Sequence, residues 1–319
     1  MYLVSFCNQD RRRRCFSLAA FDRPGNPLAW IRLGAGRQNF SATGMVRLND
    51  FLFVVMQSSR CPQLAAFDLR RWALVAASPF VQVRDPHSLA VHDGRLYVAS
   101  TGDNAVYELL LNGPRLGSER LHWRYPDTSD DHDDVHLNSL AFVNAELLVS
   151  AFGPRDPEGR WTPEGRVLNT DTGALLAEGV SQPHSLIHNQ GRLMFCESLG
   201  GRFHVSSYRE QISAPASHRI AGYTRGLAPG EDGVLIGVSG PRAASRSTRK
   251  PLDIPLDAAS SGVWKLSFTT GKASRVIDLP DAVNEVYDLL AIDAPMPPQA
   301  RAPRTNTLAK TLKGLLYRL

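Results

Sequence analysis

The feature that most constrains this chain is a near-repeat. "DPHSLAVHDGRLYVAS" at 85–100 returns as "QPHSLIHNQGRLMFCES" at 182–198, with His184 standing 97 positions after His87. Each copy reads as an inner strand, a tight turn and a partner strand. Asp93-Gly94 and Gln190-Gly191 supply the positive φ that a short hairpin turn needs. A module that occurs twice invites a search for further copies. Aligned on one leucine or methionine, four more inner strands appear, at "SATGMVRLNDFLFVVMQ" (Met45), "HLNSLAFVNAELLVSAF" (Leu140), "YTRGLAPGEDGVLIGVS" (Leu227) and "EVYDLLAID" (Leu289). With Leu89 and Leu186 the six are 41 to 62 residues apart, a spacing near that of propeller blades.

After most inner strands come a second strand, a third of the type "GDNAVYELLL", "GRVLNTDTG" or "SGVWKLSFTTG", and a shorter outer one such as "SRVIDLP". The copy at 285–293 has an inner strand and no successors. The N-terminal stretches "MYLVSFCNQ", "RCFSLAAFD" and "PLAWIRLG" read as second, third and outer strands with no inner strand before them. Pairing the C-terminal strand with these three completes a blade and removes the open sheet edges that invite aggregation. The expected fold is therefore all-β, a six-bladed β-propeller over 1–295. A Pro-rich linker and basic tail over 296–319 should follow, ending in a short amphipathic helix.

Composition sets limits on function. Hydrophobic residues make up 43% and charged residues 21%, ordinary for a soluble globular chain. No run of about 18 apolar residues is present, so a spanning helix is not expected. The start "MYLVSFCNQDRRRR" places its basic cluster after the apolar run, the reverse of a signal peptide. These readings predict a cytoplasmic protein. The cysteines Cys7, Cys15, Cys61 and Cys196 show no C-x-x-C pair and read as reduced thiols.

The net charge of +5 equals the five basic residues of the tail, Arg301, Arg304, Lys310, Lys313 and Arg318, so the propeller itself is nearly neutral. Leu308, Leu312, Leu315, Leu316 and Leu319 fall on one helical face. The 305–319 segment is thus a candidate contact with the propeller, a partner protein or an anionic membrane surface. Arg11–Arg14 reads as a polar turn. It carries no interleaved aromatics for base stacking, and no specific nucleic-acid partner is expected. "PRAASRSTRK" at 241–250 reads as a surface insertion in the last full blade.

Around the axis the pattern becomes chemical. Two residues before the aligned position stand Thr43, His87, Asn138, His184, Arg225 and Tyr287. Two residues earlier again stand Ser41, Asp85, His136, Gln182, Tyr223 and Glu285. Inner strands line the channel of a propeller, so both ladders should converge on one mouth. His87, His136, His184 and Glu285 have the donor types of a divalent metal site for Mn, Zn, Fe, Mg or Ca. Arg225 is suited to an anionic group, Tyr287 and His184 to proton transfer, and Asn138, Arg225, Arg242 and Asp288 to ligand contacts. The other reading of these residues is that they satisfy one another and channel waters. The acid-rich "DTSDDHDDVH" at 127–136 runs into the His136 strand, where Asp133 or Asp134 can contact the site. No P-loop, H-E-x-x-H or G-x-S-x-G is present, and "GAGRQNF" lacks the third glycine of a dinucleotide fingerprint, so no nucleotide cofactor is expected.

The segments "HLNSLAF", "SQPHSL" with "GRLMFCES", "GYTRGLA", "IGVSGPR" and "NEVYDL" occur in one order between about residue 80 and residue 293. In this the chain resembles a bacterial domain-of-unknown-function family of propeller-like proteins. The resemblance implies a shared propeller and a shared axial site. It points to His136, Asn138, Pro183, His184, Arg225, Gly226, Arg242, Glu285, Tyr287 and Asp288, and to no particular reaction. Val135 stands where the family pattern often has cysteine. A looser, blade-level resemblance to gluconolactonase-like and streptogramin-lyase-like propellers implies a divalent metal near the axis. Two functions follow as expectations. One is a lyase or hydrolase, metal-assisted, acting on a small anionic or carbohydrate-like ligand or a glycan in the axial funnel. The other is a non-catalytic binding or scaffold propeller that recruits a partner or membrane surface through its face and tail.

Overall fold

The computed structural model describes residues 1–7, 16–33, 40–58, 61–208, 216–220, 222–230, 232–240, 248–249, 261–280, 283 and 285–293. Six four-stranded antiparallel sheets are formed, each running from an inner to an outer strand. Blade 2 is Ser41–Leu48, Phe51–Gln57, Gln63–Asp68 and Ala73–Pro79; blade 3 is Pro86–His92, Arg95–Ser100, Ala105–Asn112 and Arg115–Arg124. Blade 4 is Ser139–Val143, Glu146–Ala151, Gly165–Asn169 and Leu175–Val180; blade 5 is Pro183–Asn189, Arg192–Glu197, Arg202–Ser207 and Ala216–Arg219. Blade 6 is Tyr223–Gly230, Gly233–Ser239, Gly262–Ser267 and Ala273–Asp278.

Blade 1 closes the ring as the strand pattern predicts. Its inner strand is the C-terminal Val286–Ala291, followed by Tyr2–Phe6, Leu18–Phe21 and Pro27–Ile31. The register sets Leu290 opposite Leu3 and Leu289 opposite Val4. Consecutive inner strands are neighbours all the way round, with that of blade 6 beside that of blade 1 and that of blade 1 beside that of blade 2. The helix expected in the tail, the Arg11–Arg14 run, Cys15 and most of the 241–250 insertion lie outside the described residues.

The side-chain period of two explains why second strands are apolar throughout. Leu52, Val54 and Met56 enter the core between blades 1 and 2, while Phe53 and Val55 enter the core between blades 2 and 3. Likewise Leu3 faces blade 2 while Val4 and Phe6 face blade 6. A middle strand buried on both faces has no polar side, so the usual alternation disappears. Six apolar clusters result, each filling one gap between neighbouring blades.

One irregularity recurs. The inner strands of blades 1, 2, 3, 5 and 6 each slip register against their second strand just before the aligned residue, as at Pro86/Leu89 and His184/Ile187. A bulge of this kind re-aims side chains. In bulged blades 1 and 5 and in the unbulged blade 4 alike, the residue immediately before the aligned one meets the next blade: Ser139 Oγ accepts from Leu186 N (3.1 Å), Ser185 Oγ from Gly226 N (2.7 Å) and Asp288 Oδ2 from Met45 N (2.9 Å).

Candidate functional site

The segments that lead into the aligned residues, bulged in five of the six blades, carry the two ladders read from the sequence. Thr43, His87, Asn138, His184, Arg225 and Tyr287 are all buried, as are Ser41, His136, Gln182, Tyr223 and Glu285; Asp85 alone in the two ladders is exposed. At the outer ladder Asp85, His136 and Gln182 share a left-handed backbone, with φ of 47°, 47° and 56°. Three successive blades thus hold equivalent residues in a conformation unfavourable to L side chains, a kind of strain that clusters at functional sites.

A third ladder stands at or just beyond the ends of the second strands, three residues beyond the position opposite each aligned residue. It comprises Cys7, Gln57, Thr101, Phe152, Ser198 and Ser239. The sequence reading missed it, although the repeat alignment would have found it had the count continued into the second strand. These residues orient the first two ladders. His87 Nδ1 bonds Thr101 Oγ1, which itself donates to Leu137 O (2.6 Å) and so must accept from the ring. His184 Nδ1 lies 2.7 Å from Ser198 Oγ and 2.9 Å from Gln182 O, and Ser198 Oγ donates to Thr224 O (2.6 Å). His136 Nδ1 donates to Asp133 Oδ2 at 2.7 Å, while Asp133 Oδ1 accepts from His136 N at 2.8 Å. In His87 and His184 the proton is therefore on Nδ1, and Nε2 offers a lone pair.

The rings gather in one cluster. His87 is 5.1 Å from His136 and stacks on Tyr287 at 5.6 Å; His184 contacts Phe152, Tyr223 and Tyr287 at 5.2, 5.8 and 6.4 Å between centroids. Phe152 and Trp161 pack on His136 at 4.4 and 5.3 Å, and Arg155 lies over Trp161 with its Nη2 on Asp133 O (3.0 Å). The acidic loop thus reaches the site through Asp133. Asp134 instead braces the loop, accepting from Ser129 N at 2.7 Å.

Arg225 is the electrostatic centre. It is 7% exposed and lies between the rings of Tyr223 and Tyr287, 4.7 and 5.2 Å from their centroids. Its hydrogen bonds are two long ones, 3.5 Å to Cys7 Sγ and 3.5 Å to Tyr223 Oη, and among the described residues no carboxylate forms an ion pair with it. Burial works against its charge, but Tyr223, Cys7, Tyr287 and Glu285 around it more than offset this and hold it protonated. Burial keeps His87 neutral, down to about 4, and with the nearby Arg225 holds His184 well below the ordinary range. Tyr287 is held well above its own, so it stays a proton donor.

Four buried polar atoms of the cluster have no hydrogen-bond partner among the described residues: Asn138 Nδ2, His184 Nε2, Arg225 Nε and Tyr287 Oη. Buried polar groups are normally satisfied, so four orphans in one ring mark a place where a polar ligand or water belongs.

Of the residues expected at a metal, His87 and His136 lie side by side, and among the described residues no group of three His, Cys, Asp or Glu side chains is arranged to hold an ion. Glu285, expected as a ligand, accepts from Cys7 Sγ at 3.2 Å. Asp288, expected at the ligand, turns to the junction of blades 1 and 2 as described above. Arg242 lies outside the described residues.

Fold and site together define a six-bladed propeller with a polar, histidine-rich axial cluster. Residues 117–300 match the family described as Domain of unknown function (DUF4915), and the chain belongs to that family. Among solved structures, a chain from the crystal structure of a nidogen/laminin complex is similar with a TM-score of 0.60 at 8% identity, covering 91% of this chain and 97% of that one. At that identity the likeness shows the fold alone. No curated protein matches. Among the described residues no helix is long and apolar enough to cross a membrane.

Proposed function

We propose that the axial cluster binds a small hydroxylated acid, such as a sugar acid, with its anionic group on Arg225. The observation that carries this reading is a buried, protonated guanidinium with five donors, two long hydrogen bonds and, among the described residues, no carboxylate ion pair. A buried guanidinium held by rings and two long hydrogen bonds keeps donors available, and an anionic ligand would add charge-assisted hydrogen bonds to them. The remaining orphans specify the rest of the ligand. Asn138 Nδ2 and Tyr287 Oη are donors for its oxygens, while the Nε2 lone pair of His184 accepts from a hydroxyl group.

Lyase or hydrolase chemistry on such a ligand would draw on the same residues. Tyr287 would give a proton, and the His136–Asp133 pair would take one, the carboxylate fixing the ring as such a base requires.

The test is titration calorimetry with a panel of sugar acids, small carboxylates and phosphates, on the parent and on Arg225→Gln. The expected result is saturable binding to the parent, weakened about tenfold or more in the variant, since a hydrogen bond to a charged group contributes about 1.5–3 kcal/mol. Equal affinity in both proteins would overturn the assignment of Arg225. Elemental mass spectrometry of protein purified without chelator is run beside it. Imidazoles anchored through Nδ1 are also the pattern of metal ligands. About one equivalent of metal in the parent and none in His87→Ala/His184→Ala would replace the hydroxyl contacts by a metal on these rings.

A further inference from the structure

The third ladder places hydroxyls beside the inner-strand histidines of blades 3 and 5. In blade 1 the same position is a thiol. Cys7 is buried just beyond Tyr2–Phe6, its backbone N–H on Glu285 O (3.1 Å) and its Sγ 3.2 Å from Glu285 Oε2. On its other side, Arg225 Nη1 donates to the same sulfur at 3.5 Å. The sulfur therefore stands between a carboxylate that can take its proton and a cation that stabilises the resulting anion, the surroundings of reactive cysteines. A structural thiol looks different in this protein. Cys196 is buried among Met194, Phe203 and Leu227, and burial pushes it up to about 12.

The partnerless atoms supply the second, independent observation. Arg225 Nε and Tyr287 Oη, each on a side chain 7% exposed, belong to the same cluster as this sulfur. A ligand that satisfies them sits against Cys7.

We propose that Cys7 is a nucleophile of the axial site, adding to an electrophilic carbon next to the anionic group of an acid held by Arg225. This rests on the anion-binding reading above and narrows the ligand to acids with such a carbon, for example a carbonyl beside the carboxylate. In the addition a C–S bond forms and the carbonyl π pair moves to its oxygen. The thiol proton goes to Glu285, and Tyr287 gives the oxygen a proton. The adduct is a hemithioacetal or hemithioketal, and the two acids re-equilibrate with water. No oxidant, reductant or leaving group is needed.

Two alkylating probes test this on the intact protein, iodoacetate and iodoacetamide, with each cysteine followed by peptide mass spectrometry. Toward an ordinary thiol iodoacetamide is the faster reagent, and the exposed Cys61 provides that internal reference. At Cys7, with either reagent, the thiol proton goes to Glu285, a C–S bond forms and iodide leaves. The expected result is that Cys7 reverses the order, reacting about tenfold or more faster with the acidic reagent relative to Cys61, because Arg225 concentrates and orients the carboxylate. Arg225→Gln should abolish the reversal, and Glu285→Gln should slow both reagents at Cys7. The parent's own ratio needs no variant, so a folding defect cannot mimic the result. If Cys7 stays unmodified while Cys61 is consumed and the acids of the calorimetry panel still bind, the nucleophile is overturned and the anion site survives. If Cys7 reacts with the ordinary preference for iodoacetamide, the coupling to Arg225 is overturned.

Discussion

At the scale of single residues, burial moves titrations in opposite directions, and the signs can be separated. Burial raises Asp288 to about 7, against the backbone N–H groups of Met45 and Leu289 that favour its anion. Between its unfolded value and that point the native state holds a proton the unfolded chain lacks, so this group removes stability as pH rises. His87, lowered to about 4, does the reverse. Between that point and its unfolded value of 6.5 the unfolded chain holds the extra proton, and stability rises with pH. His184 acts in the same direction. Asp288→Asn should therefore make stability climb more steeply between about pH 4 and about pH 6.5 than in the parent, read from urea midpoints at each pH. Parallel pH profiles would show that Asp288 titrates alike in both states. The axial residues were legible at this scale because the repeat alignment indexes them. The same alignment, carried into the second strands, also indexes Cys7, Thr101, Phe152 and Ser198, but that these positions face the histidines is set by the packing of the blades. No propensity encodes that.

At the scale of elements, the bulged inner strand is the unit that repeats, and its residue before the aligned position must fit against the next blade. Gly44 shows how closely. A Cβ there would lie 2.6 Å from His87 O, 2.7 Å from Leu89 N and 2.8 Å from Ser88 Cα, all of blade 3. Gly226 meets Asp288 of blade 1 at 2.9 Å and also holds φ at +70°. Gly44→Ala should cost about 1–3 kcal/mol, the range for forced overpacking, and Gly226→Ala more because the left-handed backbone adds to the clash. Chemical denaturation measures both, and an unchanged midpoint for Gly44→Ala would mean that the blades can part without loss. Hydroxyl bonds cross these junctions as well, from Ser5 to Thr43 O (2.7 Å), from Thr43 to Pro86 O (3.1 Å) and from Ser239 to Val286 O (3.0 Å).

For the molecule as a whole, stability depends on closure by a strand from the far end of the chain. Val286 and Leu289 enter the core between blades 6 and 1, and Leu290 packs on the core between blades 1 and 2. A chain ending at residue 284 loses these side chains and leaves the Tyr2–Phe6 strand with an open edge. Each large buried side chain contributes about 2–5 kcal/mol, so the loss is of the order of the whole stability of a domain. The expected outcome is loss of the cooperative melt and aggregation on size exclusion, through the exposed edge. A monomer with the parent's melting curve would show that the first three strands of blade 1 hold without the fourth.

The sequence by itself determined the number of blades, the order of strands within each, the closing strand and the two inner ladders. All of these follow from local patterns repeated along the chain, hairpin turns, apolar runs and a fixed offset from one leucine. Only the tertiary structure decided what those ladders do. The distance from Cys7 to Glu285 spans nearly the whole chain, and the environment of Arg225 draws on blades 1 and 6. Such contacts arise when the ring closes. The burial that encloses Arg225 between two tyrosine rings, turns Asp288 to the next blade and sets a thiol beside a guanidinium is a property of the closed ring, and no stretch of sequence carries it alone.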